Sequence, residues 1–90
     1  MTFEEFDALL ALARTEVEAM QAAEPEDRAI QSVHLQLAAL HEWTRGGRCP
    51  AQEEKDRLNF GAIASRELDT YPVASKLYTL ASHVIYWAER

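Results

Sequence analysis

Apolar residues return every three or four positions along nearly the whole chain, and its few prolines and glycines mostly fall between the repeating stretches. In the first stretch Phe3, Phe6, Leu10, Ala13, Val17 and Met20 share one stripe of a 3.6-residue helix. The spacing recurs at Ile30, Val33, Leu37, Leu40 and Thr44, and again at Val73, Leu77, Leu80, Val84 and Trp87. Between these lies a segment apolar around most of its circumference, where Leu58, Phe60, Ile63, Ala64 and Leu68 leave only the polar strip Asn59, Arg66 and Thr70. No stretch alternates polar and apolar residues long enough for a strand, and no internal repeat is present. Ninety residues hold one hydrophobic core. Short connections favour antiparallel neighbours, so the pattern predicts a single all-α domain, an antiparallel four-helix bundle with a radius of gyration of about 12 Å.

Punctuation places the helices at about residues 2–23, 25–45, 51–70 and 72–89. Thr2 and Glu5 have the spacing of a capping box, in which hydroxyl and carboxylate each satisfy the other's orphaned backbone donor. Pro25 suits the first turn of the second helix, with Glu26 and Asp27 at the positive end of its dipole. Gly46 and Gly47 supply the left-handed backbone that ends a helix, and Tyr71-Pro72 separates the last two. Gly61 costs about 1 kcal/mol inside a helix, and close approach of another backbone is the use that justifies it.

Charge narrows the function classes. The formal net charge is −6, with eight acids against Arg14 up to Asp27 and seven acids against eight bases thereafter, so the acidity belongs to the first helix. Nucleic acid is a poor partner for a chain without a basic run, whereas a basic protein surface suits it. The longest apolar run, Ala8 to Ala13, is far below the roughly 20 residues that cross a bilayer. A lone cysteine, Cys49, and the absence of a basic-then-apolar start lead us to expect a cytoplasmic protein.

Catalytic and metal chemistry find little footing. His34 and His41 are two turns, about 10 Å, apart along one helix, too far to share a metal. His83 is expected to face solvent. Arg48 beside Cys49 favours a thiolate, but no base accompanies them, and Gly46-Gly47 lacks the lysine and hydroxyl of a phosphate loop. The sequence therefore predicts no catalytic, cofactor-binding or metal-binding residue, and a protein that works by binding another.

Candidate binding residues lie on three helices. Leu12 stands with Ala8, Thr15 and Ala19 on a small-residue ridge at the back of the first helix, rimmed by Glu4, Glu5 and Glu16. Leu35 projects from the polar side of the second. On the third, Arg66 belongs to the polar strip, Glu67 falls between Phe60 and Ile63 around the wheel, and Asp69 continues the edge of Leu58 and Ala62. Carboxylates so close to apolar stripes need partners. Arg57, Lys76 or tyrosine hydroxyls within the fold are one source, and donors on a partner protein are the other.

The run from Leu58 to Leu77 resembles a segment of the small helical immunity proteins that protect bacteria from type VI secretion effectors hydrolysing NAD and NADP. The similar elements are Leu58, Gly61, Ile63-Ala64, the cluster Glu67-Leu68-Asp69, Pro72, and Leu77 followed by Tyr78, within about a quarter of the chain. The resemblance implies a protein without activity of its own, which binds an NAD(P)+ glycohydrolase domain beside or over its NAD-binding cleft and so occludes the active site; a monomer is expected, since it leaves surface free for the toxin. The alternative is a helical structural or adaptor protein that self-associates through the ridge of Ala8, Leu12 and Ala19.

Overall fold

A computed structural model describes residues 1–87. Five α-helices follow one another: α1 (Phe3–Ala23), α2 (Arg28–Trp43), α3 (Gln52–Asp56), α4 (Phe60–Glu67) and α5 (Val73–Tyr86), with a 3-10 turn at Arg45–Gly47. No strand occurs among the described residues.

The start of α1 is built by the reciprocal cap. The Thr2 N–H donates to Glu5 Oε1 at 3.1 Å, and the Glu5 N–H donates to Thr2 Oγ1 at 3.2 Å. Those donors at Thr2 hold the Glu5 carboxyl below its ordinary pKa. The second helix begins three residues later than its proline suggests. Asp27 is the N-cap, accepting from the Ile30 N–H at 3.1 Å, so Pro25 lies in the turn before it and not in the first helical turn. At the far end the Thr44 hydroxyl donates back to the Leu40 carbonyl at 2.8 Å, and Gly46 and Gly47 take φ of 74° and 88°.

The expected third helix over 51–70 is two helices. Residues 52–56 are Gln-Glu-Glu-Lys-Asp, with nothing apolar to bury, so α3 is one exposed turn capped by Glu54, whose carboxylate accepts from the Ala51 N–H at 2.8 Å and pairs with Arg48 at 2.8 Å. Both contacts lower the Glu54 pKa, the backbone donor most. The chain then breaks at Asn59, with φ −137° and ψ 20°, where a reciprocal pair of hydrogen bonds ties it to α2. The Asn59 N–H donates to Gln36 Oε1 at 2.7 Å, and Gln36 Nε2 donates to Asn59 Oδ1 at 2.6 Å. A side chain of α2 thereby caps α4 in place of a continuing helix. At its other end α4 stops at Glu67, because Leu68 leaves helical geometry to turn into the core, and Asp69 and Thr70 form a turn. The last helix ends at Tyr86 with Trp87 extended, and its expected continuation over 88–89 lies outside the described residues.

Long-range contacts fix the topology. Asp7 near the start of α1 meets His41 near the end of α2, at 4.0 Å. Glu16 of α1 pairs with Lys76 at the start of α5, whose end returns Trp87 to Phe3 with ring centroids 6.3 Å apart. Gly61 at the start of α4 meets Ala81 in the second half of α5. Each packed pair is antiparallel, and the packed pairs α1–α2, α2–α4, α4–α5 and α5–α1 close a ring, leaving α1 and α4 diagonally opposed. The molecule measures 40 × 23 × 19 Å, with a radius of gyration of 12.4 Å.

The interior is the set of stripes read from sequence. Phe6, Leu10, Leu37, Leu40, Leu77 and Leu80 are fully buried, joined from α4 by Phe60 and Ala64. Each large apolar side chain so enclosed contributes about 1.5–3 kcal/mol relative to exposure. His83 corrects the sequence expectation. It is half-buried, stacked on Phe6 with centroids 5.0 Å apart and set 5.2 Å from Trp87, and this burial pushes its pKa below the ordinary value of 6.5. Gly61 serves the close approach expected of it, since a Cβ there would lie 2.9 Å from the Cβ of Ala81.

Candidate functional site

Because α2 and α4 run antiparallel and Gln36 pins the start of α4, the end of α4 is carried beside the beginning of α2. An open groove of about 560 Å³ lies between them. Its α2 wall is formed by Asp27, Arg28, Ala29 and Ser32, and its α4 wall carries Arg66 and Glu67. Ile63, only 7% exposed, and Asn59 complete the lining. The groove thus has an apolar patch flanked by two cations, two anions and small hydrogen-bonding groups. Its volume matches sites that hold small ligands, but its openness suits a segment laid across it better than an enclosed molecule.

The sequence-predicted residues divide between this region and the opposite side. Arg66 and Glu67 line the groove, and both are exposed. Asp69 is exposed in the turn just beyond α4, so it does not continue a helical edge with Leu58 and Ala62. Leu35, 67% exposed, stands seven residues from Arg28 and so about two turns along the same face of α2. Leu12, 57% exposed, and Glu16 are on α1, diagonally across the bundle from α4. Arg66 and Glu67 therefore share the groove, while Asp69 follows them in the turn, Leu35 lies further along α2, and Leu12 and Glu16 stand apart.

Among the described residues, Glu67 at the end of α4 and Asp69 beyond it form no internal pair. Lys76 is taken by Glu16, with Nζ 3.0 Å from Oε2. The angle of that contact falls outside hydrogen-bond geometry, so the solvent-shielded Glu16 Oε2 is held by charge alone. Tyr71 donates its phenol to Glu24 Oε2 at 2.7 Å, and this acceptor raises the tyrosine pKa. No ion pair or side-chain hydrogen bond joins Arg66, Glu67 or Asp69 to another described residue.

Sequence reasoning missed Arg28 and Ser32 as neighbours of Arg66 and Glu67, although it set Asn59 and Arg66 on one polar strip. The only available signal was their periodicity on the polar side of α2, which does not specify the register against α4. A second, smaller apolar slot of about 50 Å³ opens where Gly61 lacks a side chain, between Leu58 and Ile85. Next to it α5 exposes Tyr78 and Ile85, at 41% and 67%.

Cys49 lies in the loop before α3, partly buried, with Sγ 3.5 Å from the Trp87 carbonyl oxygen. Among the described residues no group of three or more His, Cys, Asp or Glu side chains is arranged to hold a metal, and no helix is long and apolar enough to cross a membrane. Neither a curated protein nor a solved structure matches the sequence. The model of one family, Tsi6, matches residues 3–90, which takes in all five helices. The chain accordingly belongs to the Tsi6 family of type VI secretion immunity proteins.

Proposed function

We propose that this chain neutralises a cognate antibacterial toxin by binding over its active-site cleft, and that the toxin is a type VI effector hydrolysing NAD(P)+. The observation that carries this reading is the exposed trio Arg66, Glu67 and Asp69, which presents charge with no partner among the described residues. Solvated charges of that kind cost the bundle little and remain available to complementary groups on another protein. The NAD(P)+ specificity is supported by the resemblance over Leu58 to Leu77, whose similar elements include Glu67 and Asp69. On this reading the protein acts in the cytoplasm as a monomer, turns over no substrate and needs no cofactor. Lasting inhibition calls for nanomolar or tighter binding, about −12 kcal/mol, through an interface of about 1,600 Å². The acidic α1, whose first turn holds Glu4 and Glu5, speeds encounter with a basic dinucleotide cleft.

The test is growth of bacteria producing a candidate NAD-hydrolysing effector domain. Co-production of the chain restores growth, while Glu67→Lys or Asp69→Lys weakens protection without lowering the thermal midpoint. Loss of protection with an unchanged toxin-bound fraction would contradict the assignment, as would no protection by the wild type. Exposed Leu12 favours a second reading, self-association through α1. Solution mass decides it, because an obligate dimer broken by Leu12→Ser would support self-assembly and a monomer would exclude it.

A further inference from the structure

We infer that the groove between α2 and α4 is an arginine clamp, in which Arg28 and Arg66 close on an acidic side chain of the partner toxin. This rests on the immunity reading above and specifies the chemistry of the face that the toxin must bring. Three observations lead to it. The antiparallel register places Arg28, in the first turn of α2, and Arg66, in the last turn of α4, in the lining of the same groove. Neither guanidinium meets a carboxylate of a described residue within 4.0 Å, although the chain holds 15 acids against nine lysines and arginines. In so acidic a molecule two unpaired arginines converging on one cleft are not accounted for by the fold.

Arg28 is also placed against local electrostatics. A cation in the first turn of a helix faces the positive end of the dipole, and the helix gains nothing from it. Arg66 sits at a helix end that favours a cation, yet its exposed head reaches into the groove and is satisfied by nothing there. The guanidinium presents a planar fork of donors matched to a carboxylate, so two forks from opposite walls hold a single acidic side chain with direction as well as charge. The groove's own acids do not fill this role. Asp27 spends its carboxylate capping α2 through the Ile30 N–H, and Glu67 is left to meet a basic group of the partner beside the clamp. The partner segment therefore carries both signs, an acidic residue for Arg28 and Arg66 and a basic one for Glu67.

The experiment takes a purified NAD-hydrolysing effector domain against which the chain protects growth and measures its binding to wild type, Arg28→Glu, Arg66→Glu and Arg66→Lys, each checked for an unchanged thermal midpoint. Arg28→Glu and Arg66→Glu should each weaken binding about 30-fold or more, mostly through faster dissociation. Arg66→Lys keeps the charge, loses the fork, and should fall between the two. If both arginine reversals bind like wild type while Glu67→Lys binds weakly, the clamp is wrong and the immunity reading stands. If wild type itself fails to bind the domain, the immunity reading falls and the clamp falls with it. Equal binding by Arg66→Lys and wild type would also overturn the clamp, because charge without the fork would then suffice.

Discussion

Replacing Gly61 with alanine should destabilise the bundle, even though alanine is the better helix former. The new Cβ would stand 2.9 Å from the Cβ of Ala81, closer than two methyl carbons pack. Neither atom is the tip of a flexible side chain, so relief requires α4 and α5 to move apart along the seam that encloses Phe60 and Val84. Overpacking of this kind costs about 1–3 kcal/mol. Against it stands a helix-propensity gain of at most about 1 kcal/mol, less this near the start of α4. Taking about 2 kcal/mol for the clash leaves a net loss of about 1 kcal/mol, or about 4–8 °C in Tm for a domain of this size. Ala81→Gly alone should cost about 1 kcal/mol in propensity, but the double variant removes the clash and exchanges one glycine for another, returning close to wild type. The cycle therefore predicts a coupling of about 2 kcal/mol between the two positions. Urea and thermal unfolding followed by far-ultraviolet circular dichroism measure all four proteins. A Gly61→Ala variant as stable as wild type, or additive behaviour in the double variant, would show that the helices do not meet this closely.

Gln36→Ala should cost about 1 kcal/mol by removing both hydrogen bonds to Asn59, an exposed pair and hence at the lower end of their range, and amide exchange should quicken first in α4. Stability should also fall as pH drops from about 7 towards 5. Burial lowers the His83 pKa in the folded state, so the unfolded chain takes up the proton first; the contribution is complete above 6.5 and is lost as pH falls through the depressed folded value. Glu5 and Glu54 also have lowered values, but their contributions disappear below 4.5, outside that window. Urea midpoints across this range should therefore slope for wild type and flatten for His83→Phe, and an equal slope in both would assign the effect elsewhere.

The long helices were legible because each carries an apolar stripe of unbroken spacing, and the Thr2–Glu5 cap and the two left-handed glycines were legible because their chemistry is local. The break in residues 51–70 was hidden by the continuous apolar run through Ala62 and Ile63, although the wholly polar Gln52–Asp56 was a signal that this turn has no face to bury. His83 was misplaced because the helical wheel shows only its own helix, and the Phe6 ring stacked on it comes from α1, although Trp87, four residues on in the expected helix, was a signal. For the same reason the candidate residues Arg66, Glu67, Asp69 and Leu35 were readable one by one, but the groove that joins Arg66 and Glu67 to Arg28 and Ser32 was not. Its existence depends on the register of α4 against α2, set by Gln36 and Asn59 across 23 residues of sequence.

Titration of an NAD-hydrolysing effector domain against which the chain protects, followed by NAD+ hydrolysis, tests most directly the claim that the bundle acts by covering another protein's active site. Hydrolysis should fall in proportion to added protein and cease at one equivalent. Full hydrolysis in the presence of excess chain, with the two proteins in complex, would contradict it.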